Sequence, residues 1–483
     1  MVMGPLLLQA QGSGMSSLYR FGFLTLLIGL KGSLTPTYLG SIVRAIASRQ
    51  DGLILPTQVA ADQNTGFASS CPWVLQVIGL PKGNNMAEAG IDRLSGNSIV
   101  SLNEALQKHG GGFQFMDDLS EQLFPSVFGA IKNCLYKPLR KHPLYKEVEF
   151  LWTGSTAEGV NIPNFDRHGD GKPNLEFEMD ILCVLRDVKV GKSMDSPAML
   201  MKQEDTSEGY FVVYLNDEEY RRTWAPFAIH PSDPKRKGEM YLNPLLIVED
   251  LYKQIEHIFA QIPLLTEKFR LEFNPPAVTL SMSTDFQKIT INCDLVVALE
   301  LPYDCLPREY PSWITVHGKP NWLSEEAWDK AQQQHLYLVG KCSPSGQPKV
   351  EWRLSFSVVE LILLQELASR FPAALTCYRI FKQIRFWHLK CPHILHSYHL
   401  KMVFLQACHR YPPHLWTDNN LAANLLGLLD DVFYCLATKT LSSYFIPQYN
   451  LVEGVYSEFL FTLLDKLNDV RKDPIKNVIN LER

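Results

Sequence analysis

LEFEMDILCVL, Leu175 to Leu185, decides how this chain is read. Glu176, Glu178 and Asp180 alternate with Phe177, Met179 and Ile181, and the run then turns wholly apolar. A period of two marks a strand, whose successive side chains point to opposite faces. All three acids therefore share one face. A buried carboxylate is costly unless it is paired or bound to a metal. That face must look onto solvent, cations or a metal ion.

Two neighbouring segments bear on the choice. Upstream, VEFLWTGSTAEGV (Val148–Val160) is a short apolar strand running into Gly154-Ser155 and a small-residue turn. Glycine lets backbone N–H groups approach a ligand closely and serine adds a hydroxyl, which is the chemistry of a phosphate cradle. On its own such a pair is a plain turn. Downstream, ITINCDLVVALELP (Ile289–Pro302) is a second strand with Asp294 set among apolar residues. Acids at i and i+2 on one strand and a third acid on another can converge on two divalent cations. Mg²⁺ takes oxygen ligands, and a metal pair clamps the attacking and leaving oxygens of a phosphoryl or nucleotidyl transfer. The plain alternative is that the acids face water on half-exposed strands. One acidic strand alone would be read that way; two, with a Gly-Ser turn before them, favour the metal reading.

The rest of the chain sets limits. Its 483 residues allow more than one core. Hydrophobic residues at 46% and charged residues at 20% are those of a globular protein. A net charge of −5 excludes a surface coated in basic charge, though not a local basic groove. Ten cysteines without a CxxC, several inside apolar runs, read as buried free thiols of a reducing, cytoplasmic compartment. FGFLTLLIGL (Phe21–Leu30) is too short to span a bilayer, so no stable membrane insertion is expected. A membrane-associated protein is the weaker reading. Residues 1–110 show little periodicity, and Gly110–Gly112 reads as linker punctuation. Leu119, Leu123, Val127, Ile131 and Leu135 form an i+4 ladder that predicts a long helix over 115–139, kinked or started by Pro125. Lys132, Lys137, Arg140, Lys141 and Lys146 near its end read as a solvated face, with a nucleic-acid patch as the alternative. Helical spacing also covers Val358–Phe371, His396–Tyr411, Asn420–Thr438 and Ser457–Arg471.

Taken in order, GST-x-x-EG, the E-x-D strand and the lone Asp in DLVVALE resemble the cyclic GMP-AMP synthase and Mab-twenty-one family. EWRLSFS (Glu351–Ser357), SYHLK (Ser397–Lys401) and SSYFIPQYN (Ser442–Asn450) extend the resemblance, which covers about 115–475. It implies an α+β, bilobal nucleotidyltransferase fold: a lobe with a mixed twisted sheet and a helical C-terminal lobe, joined by a long spine helix. Residues 1–110 would be a poorly defined N-terminal extension, 111–350 the nucleotidyltransferase lobe with the spine, and 351–483 the helical lobe.

The resemblance also implies roles. Gly154 and Ser155 would contact a triphosphate. Glu178, Asp180 and Asp294 would be catalytic and hold Mg²⁺ or Mn²⁺. Glu176 with Glu178 is an alternative register, less favoured because ILCVL begins directly after Asp180. Arg353 and Ser355 would approach phosphate or base, and Glu360 a base edge. Lys382 and Ser397 would bind phosphate, and Tyr398 would stack on a base. Each helical-lobe residue has a structural alternative, such as an ion pair for Arg353 or a core position for Tyr398.

One departure bears on activation. The DNA-sensing synthase of the family carries a zinc-binding insertion, whereas Glu360 to Lys382 here contains only Cys377. His388, Cys391, His393, His396 and His399 fit no closed four-ligand spacing, so no zinc is expected. DNA sensing is thereby in doubt, and double-stranded RNA read by shape is the open activator. Two functional classes compete. One is a metal-dependent nucleotidyltransferase making a cyclic dinucleotide or related second messenger from ATP and GTP, serving a downstream receptor in innate immune signalling. The other is a catalytically inactive Mab-type protein with a regulatory nucleotide pocket or a protein-interaction role.

Overall fold

The computed structural model describes residues 96–479 except 168–172, 193–194, 203–206, 232–235, 285–288, 303–304, 307–316, 342 and 344–349. Phe21–Leu30 and Cys71 lie outside the described residues.

Helix α1 (Gly96–Gly110) lies in the segment read as a poorly defined extension with little periodicity. Leu102 and Leu106 on its inner face are fully buried. The Asn103 side chain donates to the Asp418 carbonyl at 2.9 Å and accepts from the Ala422 N–H at 3.0 Å. The expected spine helix is present over 115–139 with a π-turn within it: a short helix (Gln114–Asp118) passes through a π-helical turn (Leu119–Leu123) into α2 (Phe124–Leu139). Pro125 explains the π-turn. It lacks the N–H that would bond to the preceding turn, so it sits in the first turn of α2 and the turn before it widens. All five ladder residues, Leu119 to Leu135, are buried.

The described strands form one sheet of thirteen. They are β1 (Val148–Thr153), β2 (Asn164–Arg167), β3 (Pro173–Leu185), β4 (Val190–Gly191), β5 (Ala198–Met201), β6 (Tyr210–Leu215) and β7 (Ala228–Ile229). After them come β8 (Tyr241–Leu242), β9 (Phe269–Asn274), β10 (Ala277–Thr284), β11 (Ile289–Leu301), β12 (Leu336–Val339) and β13 (Glu351–Ser355). The main path runs β1-β3-β11-β12-β13-β6-β5-β4, with β10 and β9 branching from β11. β3 and β11 lie side by side and parallel, although far apart in the chain.

Alternation along this pair builds the core. Phe177, Met179 and Ile181 of β3 and Ile291, Cys293 and Leu295 of β11 are buried. They pack beneath α2 and α3 (Pro244–Ala260), with Phe124 meeting Phe177 edge-on at 5.4 Å. The opposite face changes character along its length. Beyond Asp180 it is apolar: Leu182, Val184, Ala298, Tyr337 and Val339 form a second small core with Val358. The acids therefore stand where this covered face opens.

The helical lobe comprises α4 (Ser357–Arg370), α5 (Pro372–His388), α6 (Ser397–Arg410), α7 (Leu421–Thr438) and α8 (Ser457–Lys472). α4, α6, α7 and α8 agree with the periodicity to within a residue at each end. By composition, Asp418–Thr438 is long and apolar enough to cross a membrane. It is instead the lobe's central helix, surrounded by α1, α5, α6 and α8.

Candidate functional site: carboxylates, a locked turn and an adjoining cleft

Asp180 and Asp294 are direct partners across the parallel β3–β11 ladder, with Glu178 opposite Asn292 and Glu176 opposite Thr290. Thr279 on β10 donates to Asp294 Oδ1 at 2.5 Å and fixes that carboxylate. Asn292 donates to Glu176 Oε1 at 2.5 Å, which ties Glu176 down at the far end of the row. Burial and then the neighbouring Asp294 and Glu178 charges push the Asp180 carboxyl up to about 7. Glu178 is raised by burial, Asp294 and Glu176; Asp294 is raised by burial against the lowering effect of Thr279. The structure thus brings Glu178, Asp180 and Asp294 together and leaves Glu176 paired with an amide.

The Gly-Ser turn abuts this row. Thr153, the last residue of β1, pairs with Asp180, and Gly154 follows with φ +75°. A Cβ at Gly154 would lie 2.0 Å from Asp180 Oδ2, so both conformation and space demand glycine here. Gly154–Ala157 forms one helical turn, in which the Gly154 carbonyl accepts from the Glu158 N–H at 3.0 Å. Ser155 is half-buried, and its carbonyl accepts from the Val160 N–H at 2.9 Å.

Cations of the helical lobe hold the turn from the other side. Lys401 on α6 donates to Glu158 Oε1 and to Glu360 Oε2, each at 2.7 Å, in a buried triad. Burial works against the ammonium, but the two carboxylates override it and keep Lys401 charged. Lys382 on α5 donates to the Val160 carbonyl at 2.7 Å, and Arg379 donates to the Gly159 carbonyl and Asp117. Burial lowers the Lys382 ammonium to about 7.

Beside the acids lies an open cleft of about 1040 Å³, walled by Lys341, Arg353, Phe356, His393, His396 and Tyr398 among others. Arg385 connects the two regions. Its charge acts on Glu178 on one side and on His396 on the other, while its Nε donates to the Leu395 carbonyl at 2.7 Å.

The other expected site residues are distributed as follows. Arg353 and Tyr398 face the cleft. Ser397 is exposed at the first position of α6. Ser355 is buried, and its hydroxyl lies 3.3 Å from that of Ser357. Glu360 and Lys382 are committed to protein partners rather than to the cleft. The histidines weighed for zinc are also engaged: His388 with the Asn477 carbonyl, and His396 and His399 with the α6 cap. Lys401 was quoted only as part of a motif and Glu158 only as a turn residue. Their pairing joins residues 243 positions apart, which no local pattern reveals.

A divalent cation fits this donor set in kind. Three carboxylates share one open edge, repel one another, and lie beside a turn that leaves no side chain in the way. Among the described residues no three Asp, Glu, His or Cys side chains are close enough to chelate as they stand. Asp180 and Asp294 stand opposite each other across the ladder, and Glu178 lies two residues along β3 with its side chain nearer solvent.

Comparison with known proteins agrees with this architecture. Residues 187–366 match the Mab-21 protein nucleotidyltransferase domain, and residues 374–469 match the Mab-21 protein HhH/H2TH-like domain. The first match includes Asp294 but begins after Gly154, Ser155, Glu178 and Asp180. The chain is 26% identical over 255 residues to protein mab-21-like 3 of Xenopus laevis, covering 51% of this chain and 63% of that protein. It is 27% identical over 227 residues to cyclic GMP-AMP synthase of Sus scrofa, covering 42% of each. The chain thus spans less than two thirds of these curated relatives. With a nucleotidyltransferase domain followed by the family's helical domain, on the sheet and helical lobe described above, the chain belongs to the Mab-21 family.

Proposed function

We propose that the protein is a metal-dependent nucleotidyltransferase that makes a cyclic dinucleotide or related nucleotide second messenger from ATP and GTP. The observation that carries this reading is the register of β3 against β11, which sets Asp180 opposite Asp294 with Glu178 alongside. Two cations bound there would neutralise the row and polarise the phosphoryl group under attack. The chain's own residues do the rest. Gly154 and Ser155 orient the triphosphate by backbone and hydroxyl contacts. Asp294, which accepts from Thr279, would take the proton of the attacking hydroxyl. Arg353 and Tyr398 supply a cation and an aromatic face in the adjoining cleft, suited to phosphate and base.

A second reading is a non-catalytic Mab-type protein that binds a nucleotide for regulation. What favours it is the commitment of Lys382 and Glu360 to protein partners, which takes two residues expected at the ligand out of reach.

The experiment that separates them is product formation from labelled ATP, GTP, CTP and UTP with Mg²⁺ or Mn²⁺. It is run with and without double-stranded RNA or DNA, beside Asp294→Asn. A phosphatase-resistant product lost in the variant supports the enzyme, and the label pattern names its bases. Bound nucleotide without turnover in every arm moves the reading to the regulatory pocket.

A further inference from the structure

Strand β9 forms one margin of the sheet. It pairs with β10, and among the described residues no strand lies along its other side. Such an edge presents a row of backbone N–H and C=O groups that can take up another strand. Its sequence, Phe269-Arg270-Leu271-Glu272-Phe273, is symmetric in kind about Leu271: opposite charges one step away and aromatics two steps away. Alternation puts Arg270 and Glu272 on one face, where they form an exposed ion pair at 2.8 Å. Phe269, Leu271 and Phe273 share the other face. Phe269 is buried against Phe259 of α3, whereas Phe273 is 43% exposed and meets Tyr252 of α3 edge-on at 5.8 Å. Charges on an edge strand ordinarily repel a second strand. Two charges of opposite sign, placed symmetrically, do the reverse for an antiparallel copy of themselves.

We propose that β9 is the pairing edge of a two-fold homodimer, lying antiparallel to β9 of a second copy with Leu271 at the axis. In that register Arg270 stands opposite Glu272 of the second copy, and Glu272 opposite its Arg270. Each internal ion pair is exchanged for one across the interface, so charge selects the register while backbone hydrogen bonds and apolar cover stabilise it. Phe273 comes to lie beside Phe269 of the second copy, which covers an aromatic left open in the monomer. Slipping the pair by two residues sets Arg270 or Glu272 against its own copy, which like charges oppose. The axis stands perpendicular to the sheet, and the sheet continues through both copies. Glu272 pairs with Thr279, and Thr279 with Asp294. The acid rows of the two copies therefore open on the same face, on the order of 25 Å apart across the strands. A short edge pairing is a small interface, so a dissociation constant of about 1–100 μM is expected.

The dimer needs neither metal nor turnover, so it stands or falls apart from the enzyme reading. The test is sedimentation velocity of the full chain at concentrations from about 1 to about 200 μM. Wild type should pass from monomer to dimer across that range. Arg270→Glu alone and Glu272→Arg alone each bring like charges face to face at both positions, and each should raise the dissociation constant about tenfold or more. An equimolar mixture of the two single variants matches every charge again and should dimerise as wild type does. Arg270→Glu/Glu272→Arg should do the same by itself. The mixture is the decisive arm, because no ion pair restored within one chain can produce it. Both positions are exposed, so melting temperatures close to that of wild type are expected of all three variants. Single variants that dimerise as tightly as wild type assign the contact to another surface, and a wild type that stays monomeric leaves β9 to a foreign strand or to none. Either result, or a mixture that stays monomeric, overturns the proposal.

Discussion

Asp294 carries a carboxylate that accepts from Thr279 on one neighbouring strand and lies beside Asp180 on the other. Replacing it with Asn keeps the shape and removes the charge. Asp294→Asn should abolish product formation while leaving the melting temperature unchanged or raised, because it also removes a repulsion at Asp180. Full activity in that variant would falsify the two-metal reading. Gly154→Ala should act differently. The added methyl meets Asp180 Oδ2, and the left-handed backbone is strained for alanine. A loss of both activity and about 1–3 kcal/mol of stability is expected from chemical denaturation. These residues were legible in the sequence because strand alternation and a Gly-Ser turn are local patterns. The preference for Glu178 with Asp180 over Glu176 with Glu178 rested on where the apolar run began. In the structure Asn292 donates to Glu176, while Asp180 is the ladder partner of Asp294.

At the scale of elements, α5 and α6 act on the turn after β1 through Arg379, Lys382 and Lys401. Lys401→Met should cost about 3–5 kcal/mol, since it leaves the Glu158 and Glu360 carboxylates buried without their cation. Adding Glu158→Gln to that variant should restore part of the loss, and a double-mutant cycle measures the coupling. By contrast, the exposed Arg222–Glu218 pair should contribute under about 0.5 kcal/mol. The sequence could not show this arrangement. Lys382 was read as a phosphate ligand from the family resemblance, but the Val160 carbonyl it meets lies 222 residues away. Helix α1 was missed for a related reason. Its inner face carries only Ile99, Leu102 and Leu106, a stripe too thin to register until α7 is there to cover it. A chain starting at residue 111 should therefore be less stable than one starting at 96. The two buried leucines alone contribute on the order of 3–6 kcal/mol, which urea denaturation can read.

For the molecule as a whole, the acid row makes stability depend on pH and metal together. The folded Asp180 carboxyl titrates near 7 against its ordinary value of 3.8. Its ionisation penalty is absent well below the unfolded value and present in full above the folded one. Without metal, stability should fall as pH rises across that window. On the metal reading, Mg²⁺ would replace the proton and offset the penalty, so it should raise the melting temperature at pH 8 and do so much less at pH 6. At a concentration of one hundred times Kd the gain is about 2.7 kcal/mol. A thermal shift that is equal at both pH values, or shared by Asp180→Asn, would sink the metal assignment.

The buried triad also bears on how reactants reach the acids. Glu158 belongs to the sheet lobe, whereas Glu360 and Lys401 belong to the helices above it. Parting the lobes like a clamshell would strip an ammonium of one counter-ion inside the protein and tear Lys382 and Arg379 from their carbonyls. On the proposed reading, nucleotides would enter sideways, through the open cleft beside Tyr398 and Tyr449, with the two lobes still joined.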